Sequence, residues 1–455
     1  MSVHYADPAS GVILWGTLIL IFGIIGRYLA NLINQPSVLG ELLMGIVIGN
    51  ICYFWGLPLA IVLREGGAVF SIMHDFMSSA PLTEAVSSIM HNPSKADQLL
   101  RVLNSPQGNE LVRITYVLDV FARYGVIFLL FVVGLDSSLD DLKQTGRSAI
   151  YVAVLGIMAP LALGLITLYM LMPDLPLTSA LFVAATLSAT SVGITARVLK
   201  ELKQLKTREA KTIMGAAMID DILGLILLAV VSGLVISGHV ELWLLVRILF
   251  WAGIFFVGVL WLCPVILRLA VAGSHFLDPW ETKLFTAFIL VMFLSWLANL
   301  VHLASIIGAF LAGIIMHEGL FRAREERNTL TIKQLVMPFE AVFAPLFFML
   351  VGIQVKLEAF FNWHVVMIAI GLTVAAIAGK LLCGLGGARK DDRFLIGIGM
   401  LPRGEVGLIF AFTGQGLGII PDSLFASIIL MVMVTTLITP AWLKSRFSAN
   451  STNGN

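Results

Sequence analysis

Residues 214–231 read MGAAMIDDILGLILLAVV. Asp220 and Asp221 stand side by side in an apolar run long enough to be a membrane span. One charge at the centre of such a helix costs about 2.5–3.5 kcal/mol on insertion scales, and here there are two in succession. The pair lies about ten residues from the nearer end of its span. At about 1.5 Å per residue that is about 15 Å deep, near the midplane. Successive helix residues point about 100° apart, so the two acids cannot face one partner. One can meet a basic residue while the other meets a cavity. Gly215, Ala216, Ala217 and Gly224 surround them, and small residues let neighbouring backbones approach closely.

The rest of the chain is built from the same material. Of 455 residues 58% are hydrophobic and 13% charged, and the mean hydropathy is +0.95. A soluble domain needs more polar surface. The net charge of +1 gives no basic signal for nucleic acid. Cys52, Cys263 and Cys383 fall in apolar segments without metal-ligand spacing, so neither a structural metal nor a cofactor is expected. The fold class is all-α and polytopic, with the lipid bilayer as its solvent. Thirteen spans are expected, near 11–32, 38–58, 114–135, 147–171, 177–199, 210–236, 242–267, 283–301, 303–317, 338–355, 363–386, 393–418 and 424–443. With the N-terminus outside, most of the 29 basic residues fall on the cytoplasmic side, Arg27, Arg147, Lys200, Lys206, Arg208 and Arg393 among them. That bias places the C-terminus inside and the protein in the cell inner (plasma) membrane.

Four stretches follow. Residues 1–58 hold the first two spans. Residues 59–113 form an extracytoplasmic insertion, punctuated by Gly66, Gly67, Pro81, Pro93 and Pro106. Its segments Ala68–Met77 and Ala96–Leu103 are expected to be interfacial helices. Residues 114–445 complete the membrane domain, and 446–455 read as a short disordered tail. The opening MSVHYADPAS has no basic region of the kind a cleaved signal peptide carries.

Other intramembrane charges need partners too. Lys380, in AAIAGKLLCGLGG (375–387), either pairs with one of the aspartates or snorkels toward the interface. Arg403 and Glu405, in GMLPRGEVGLIFAFTG (399–414), flank Gly404 and follow Pro402, which argues for a helix break in mid-span. They would neutralise freed backbone ends or a neighbouring charge. The fifth span, ALFVAATLSATSVGITARVL (180–199), carries Thr186, Ser188, Thr190, Ser191, Gly193 and Thr195. Either its hydroxyls bond back to their own helix, or the stretch is unwound and its carbonyls line a cavity. Discontinuous helices in corresponding positions of two halves point to a transporter binding site, and the fifth and twelfth spans are such a pair. Arg27 and Glu41 lie near span ends, where solvent can reach them. Asp119 and Arg123, four apart, can pair.

At these residues the chain resembles the second monovalent cation:proton antiporter family. The resemblance rests on INQPSVLGELLMGIVIGN (33–50), GVIFLLFVVGLDSSLDDLK (125–143), ATLSATSVGITARVLKELKQLKTREAKTIMGAAMIDDILGLILLA (185–229), ASIIGAFLAGIIM (304–316), APLFFMLVGIQVKL (344–357), the Lys380 segment and MLPRGEVGLIF (400–410). It spans the membrane domain apart from 59–113. The double Asp with Lys380 resembles the electrogenic sodium/proton members. That likeness implies two inverted repeats with crossed discontinuous helices, a core domain moving against a dimer domain, and a homodimer. It implies a role in pH homeostasis, with Asp221 carrying cation and proton, Asp220 paired with Lys380, and Thr190 and Ser191 at the site. Sodium is the first cation expected, with lithium or potassium as alternatives, including a potassium/proton antiporter of the same family. Chemistry points the same way, because carboxylate and carbonyl oxygens suit a hard cation, and a proton competes for them. A metal-dependent membrane enzyme holding a divalent ion on the Asp pair is the remote alternative. Such sites sit near a membrane surface among several loop acids, whereas this pair is buried between apolar turns.

Overall fold

The computed structural model describes residues 8–65, 86, 93–135, 139–237, 242–274, 276–301, 303–317, 319–321, 330–403, 407, 410–411, 414 and 419–453. Their regular elements are helices, with no strand among the described residues. In chain order the helices are α1 (Pro8–Leu32), α2 (Ser37–Phe54), α3 (Pro58–Glu65), α4 (Pro93–Leu103), α5 (Gly108–Leu135), α6 (Leu139–Leu171), α7 (Leu177–Ser188), α8 (Val192–Glu201) and α9 (Arg208–Ser237). They continue with α10 (Leu242–Trp261), α11 (Cys263–Gly273), α12 (Pro279–Leu300), α13 (Ser305–Ile315), α14 (Ile332–Ile353), α15 (Trp363–Cys383), α16 (Arg393–Gly399) and α17 (Asp422–Asn453). In lipid every backbone polar group must be satisfied within the protein, and helices do that segment by segment.

Nine helices among the described residues are long and apolar enough to cross a membrane, or ten if the bent pair Leu249–Trp261 and Cys263–Gly273 is one span. The other three segments read as spans from sequence are α9 with its two acids, the eleven-residue α13, and the interrupted stretch that begins with α16.

The helices sort into two packed groups. One joins α1, α2, α5, α12, α13 and α14; the other joins α6, α7, α9, α15, α16 and α17, and α8 touches both. Small residues set the closest approaches. On α2 a Cβ at Gly45 would collide with the Met349 carbonyl of α14, and one at Gly352 with the Leu42 carbonyl. In a bilayer such close packing replaces the hydrophobic drive that water supplies elsewhere.

Within 59–113, Ala96–Leu103 lies in α4, while Ala68–Met77 is outside the described residues. The chain end differs from the expectation of a disordered tail, because α17 runs on to Asn453. Arg446 explains the extension: its Nε donates to Asp392 Oδ2 at 2.8 Å and its guanidinium lies over the Phe394 ring.

Candidate functional site

The Asp pair sits in the middle of α9. Asp220 is 2% exposed and Asp221 4%. Lys380, on α15, is fully buried, and its Nζ lies 3.5 Å from both carboxylate oxygens of Asp220. The snorkelling geometry is therefore not the one adopted. Gly156 on α6 leaves room for this contact: a Cβ there would stand 3.3 Å from Lys380 Nζ and 3.8 Å from Asp220 Oδ1.

Beside the pair, two interrupted helices meet. α7 stops at Ser188 and α8 begins at Val192, with Ala189 and Ser191 extended between them. α16 stops at Gly399, and residues 401–403 continue without helix. The two irregular stretches bond to each other. The Ser191 amide donates to the Pro402 carbonyl at 2.7 Å, the Thr195 hydroxyl to Gly399 at 2.7 Å, and the Thr190 hydroxyl to Met400 at 3.4 Å. Thr190 also faces the Asp220 carboxylate. Thr186 and Ser188 bond back to Phe182 and Ala185 in their own helix. Back-bonding thus holds for the first half of this serine- and threonine-rich span, and the stretch after it is unwound.

Arg403 is wholly buried at the junction. Its Nε donates to the Leu187 carbonyl at 3.0 Å and its Nη1 to Leu401 at 2.9 Å; Nη2 reaches Leu187 as well, and Ala376 at 3.5 Å. The last carbonyls of a helix lack intrahelical partners and carry the negative end of its dipole. The guanidinium satisfies that of Leu187, in the last turn of α7, with donors and charge together. The Thr436 hydroxyl on α17 holds the Arg403 carbonyl in turn. Glu405 lies outside the described residues. With Asp220, Asp221, Lys380 and Arg403 all ionised, the buried charges cancel.

The family model for sodium/hydrogen exchangers, transmembrane, matches residues 17–447. The chain belongs to the sodium/hydrogen exchanger family. The exchanger is 34% identical over 449 residues to the high-affinity Na+/H+ antiporter NhaS3 of Synechocystis, with 96% of this chain and 90% of the relative covered. It is 33% identical over 346 residues to the Na+/H+-K+ antiporter GerN of Bacillus cereus, covering 73% and 84%. Its fold is similar to the solved structure of the sodium proton antiporter MjNhaP1 from Methanocaldococcus jannaschii, with a TM-score of 0.61 over 96% of each chain at 16% identity. The family is one of transporters, not enzymes.

Sequence reasoning missed one part of the exchanger. Glu41 is not solvated at a span end but fully buried on α2, paired with Arg27 at 2.7 Å. Nearby, the Glu340 carboxylate on α14 accepts from Arg197 Nη1 at 2.8 Å and from the Lys200 ammonium, both on α8. Arg197 Nε also reaches Glu201 at 2.8 Å, and Glu201 accepts from the Ser37 amide at the start of α2 at 2.6 Å. These groups tie α8 to α2 and α14 at its end remote from the junction. The four-residue spacing of Arg197 and Glu201 was a readable signal. Asp119 and Arg123 do pair, at 2.5 Å, one turn apart on α5.

Proposed function

We propose that this exchanger moves a monovalent cation, sodium first, against protons across the cell inner membrane, and that the cycle is electrogenic. The observation that carries the reading is the buried Asp pair on α9, with Lys380 beside Asp220 and the hydrogen-bonded junction of two broken helices next to it. Asp221 takes either cation or proton. Asp220, Thr190 and Ser191 support the site, and Arg403 holds the junction; Glu405 belongs to the same segment.

Charge counting gives the stoichiometry. In the proton-loaded form Asp221 and Lys380 each hold a proton. A cation arriving at the carboxylates weakens the attraction that keeps Lys380 charged, and Lys380 then releases its proton. Two protons move against one cation, so one net charge crosses per cycle. Moving that charge is worth about 2.3 kcal/mol per 100 mV.

Alternating access requires an interface that opens at one end at a time. The ion pairs of α8 with α14 and the hydrogen bond from the Ser37 amide of α2 to Glu201 close one end of the boundary between the helix groups, while a cleft lined by α2, α14 and α17 lies toward the other. The resemblance adds a homodimer, and the Lys/Arg bias of the loops puts the N-terminus outside and residues 59–113 on the extracytoplasmic side. A potassium/proton exchanger is the second reading, favoured by the similarity to the Na+/H+-K+ antiporter GerN.

The test is exchange by purified protein in proteoliposomes, followed with a pH-sensitive dye while each alkali cation is titrated. Sodium should collapse an imposed pH gradient at the lowest concentration. The Asp221→Asn variant should show no cation-driven proton movement. Wild-type exchange by that variant would sink the mechanism.

A further inference from the structure

Charges are sorted at the end of the molecule where α8 gives way to α9, α15 to α16, and α17 nears its end. Glu201 accepts from Arg197 and from the Ser37 amide, and Glu209 accepts from the Asp392 amide at 3.2 Å. Asp391 pairs with Arg208 at 2.9 Å and Asp392 with Arg446 at 2.8 Å. Each acid of these two connections is thereby engaged within the protein. The cations between them are not: Lys203, Lys206, Arg389 and Lys390 are exposed and form no ion pair among the described residues. Lys206 and Arg389 each precede a member of the Arg208–Asp391 pair by two residues, so that pair draws the two connections together.

Lys203 adds an observation of a different kind. Its amide donates to the Lys200 carbonyl at 3.0 Å and that of Gln204 to the Leu199 carbonyl at 2.8 Å, the two bonds of a helix end that glycine ordinarily closes. Lys203 holds that place with φ +58°, in the left-handed region where a side chain is strained. Orienting the chain in the membrane needs only a count of cations and would be met by a lysine anywhere in the turn. A lysine kept where glycine fits better points to a use for its charge. Apolar groups fix the level of the patch. Leu385 is 57% exposed, Phe394 41% and Tyr151 63%, and a Cβ at Gly386 would meet the Tyr151 carbonyl, so all three border the stretch that carries Arg389 and Lys390. Exposed aromatic and aliphatic groups beside cations are the composition of the boundary between acyl chains and headgroups.

We propose that Lys203, Lys206, Arg389 and Lys390 form a docking surface for anionic phospholipid headgroups, on the helix group that carries the Asp pair. Charge and level together select the occupant. Each free cation at a membrane surface favours an anionic lipid by about fivefold in affinity. A soluble anion meets the same charges but gains nothing from the leucine and the rings beside them. An acidic protein would have to displace lipid from those rings.

The experiment titrates delipidated exchanger in detergent with phosphatidylglycerol and with phosphatidylcholine of the same chains. Bound lipid is counted by native mass spectrometry, and thermal unfolding is followed in parallel. Phosphatidylglycerol should bind at least tenfold more tightly, and added salt should erode the preference. Lys203→Gly should weaken phosphatidylglycerol about fivefold and leave phosphatidylcholine unchanged. It should unfold no earlier than the unaltered protein, because glycine suits the turn. Joined to Lys206→Gln, Arg389→Gln and Lys390→Gln, it should erase the preference. Should that fourfold variant fail to fold, Lys203→Gly decides. Equal affinity for the two lipids, or a Lys203→Gly variant that keeps the full preference, would overturn the proposal. Displacement of the lipid by equimolar tripolyphosphate or by a polyglutamate peptide would overturn it too, since the patch would then serve a soluble anion or an acidic protein.

Discussion

Replacing Lys380 by Gln tests the energetics of the buried pair directly. Nζ lies 3.5 Å from each Asp220 oxygen, and neither side chain is more than 1% exposed. At an effective dielectric constant of about 20, two unit charges at that distance attract by about 5 kcal/mol. Most of this offsets the cost of taking both charges out of water, so the pair contributes little net stability. Removing one partner leaves the other charge uncompensated. Lys380→Gln alone should therefore cost about 3–5 kcal/mol, and Asp220→Asn alone a similar amount. The double variant sets two neutral amides face to face and should lose much less than the sum of the single losses.

The assay is a double-mutant cycle on unfolding free energies, measured by reversible denaturation in mixed micelles. A coupling energy of at least about 2 kcal/mol is expected, within the range known for contacting residues. Losses that add to within about 0.5 kcal/mol would refute the reasoning, because independent sites behave that way. A neutral Lys380→Gln would refute it differently. It would mean that Arg403, which also lies near Asp220, already compensates the carboxylate.

Other substitutions reach neighbouring parts of the exchanger. Gly156→Ala puts a Cβ 3.3 Å from Lys380 Nζ, so it should slow exchange while costing no more than about 1–3 kcal/mol, read from initial proteoliposome rates and unfolding. Glu340→Gln leaves Arg197 and Lys200 without their shared carboxylate and should destabilise by about 3–5 kcal/mol in the same denaturation assay; Glu340→Asp should recover part of the loss. Gly45→Leu drives a side chain into the Met349 carbonyl and should deplete folded protein in the membrane, measured by size-exclusion profile. Lys380→Gln, if it retains exchange, should lose sensitivity to an imposed potassium–valinomycin potential that drives the unaltered protein; equal sensitivity would make Lys380 a structural partner only.

What could be read from sequence and what could not divide along one physical line. The Asp pair stood out because its cost is set by depth, and depth is visible in an apolar run of 18 residues. The break near Ser188–Ser191 stood out because small polar residues make a poor lipid-facing helix, and the break near Pro402 because proline removes a backbone donor. These are local properties of a segment. Glu41 was misread because its position near the start of α2 looks wet along the chain; only α1 and α8, folded against it, take the water away. Glu340 escaped for the same reason, since its partners Arg197 and Lys200 are more than a hundred residues distant in sequence. The end of α17 was misjudged because the polarity of 446–455 says nothing about Asp392, which gives Arg446 a reason to stay helical. The junction itself lies between these cases. Each broken helix was legible alone, but its freed carbonyls and amides cannot remain unmet in a membrane interior. Two breaks at similar depth in two halves of the chain are therefore each other's most economical solution. The Ser191 amide on Pro402 and the Arg403 guanidinium on Leu187 are the form that solution takes here.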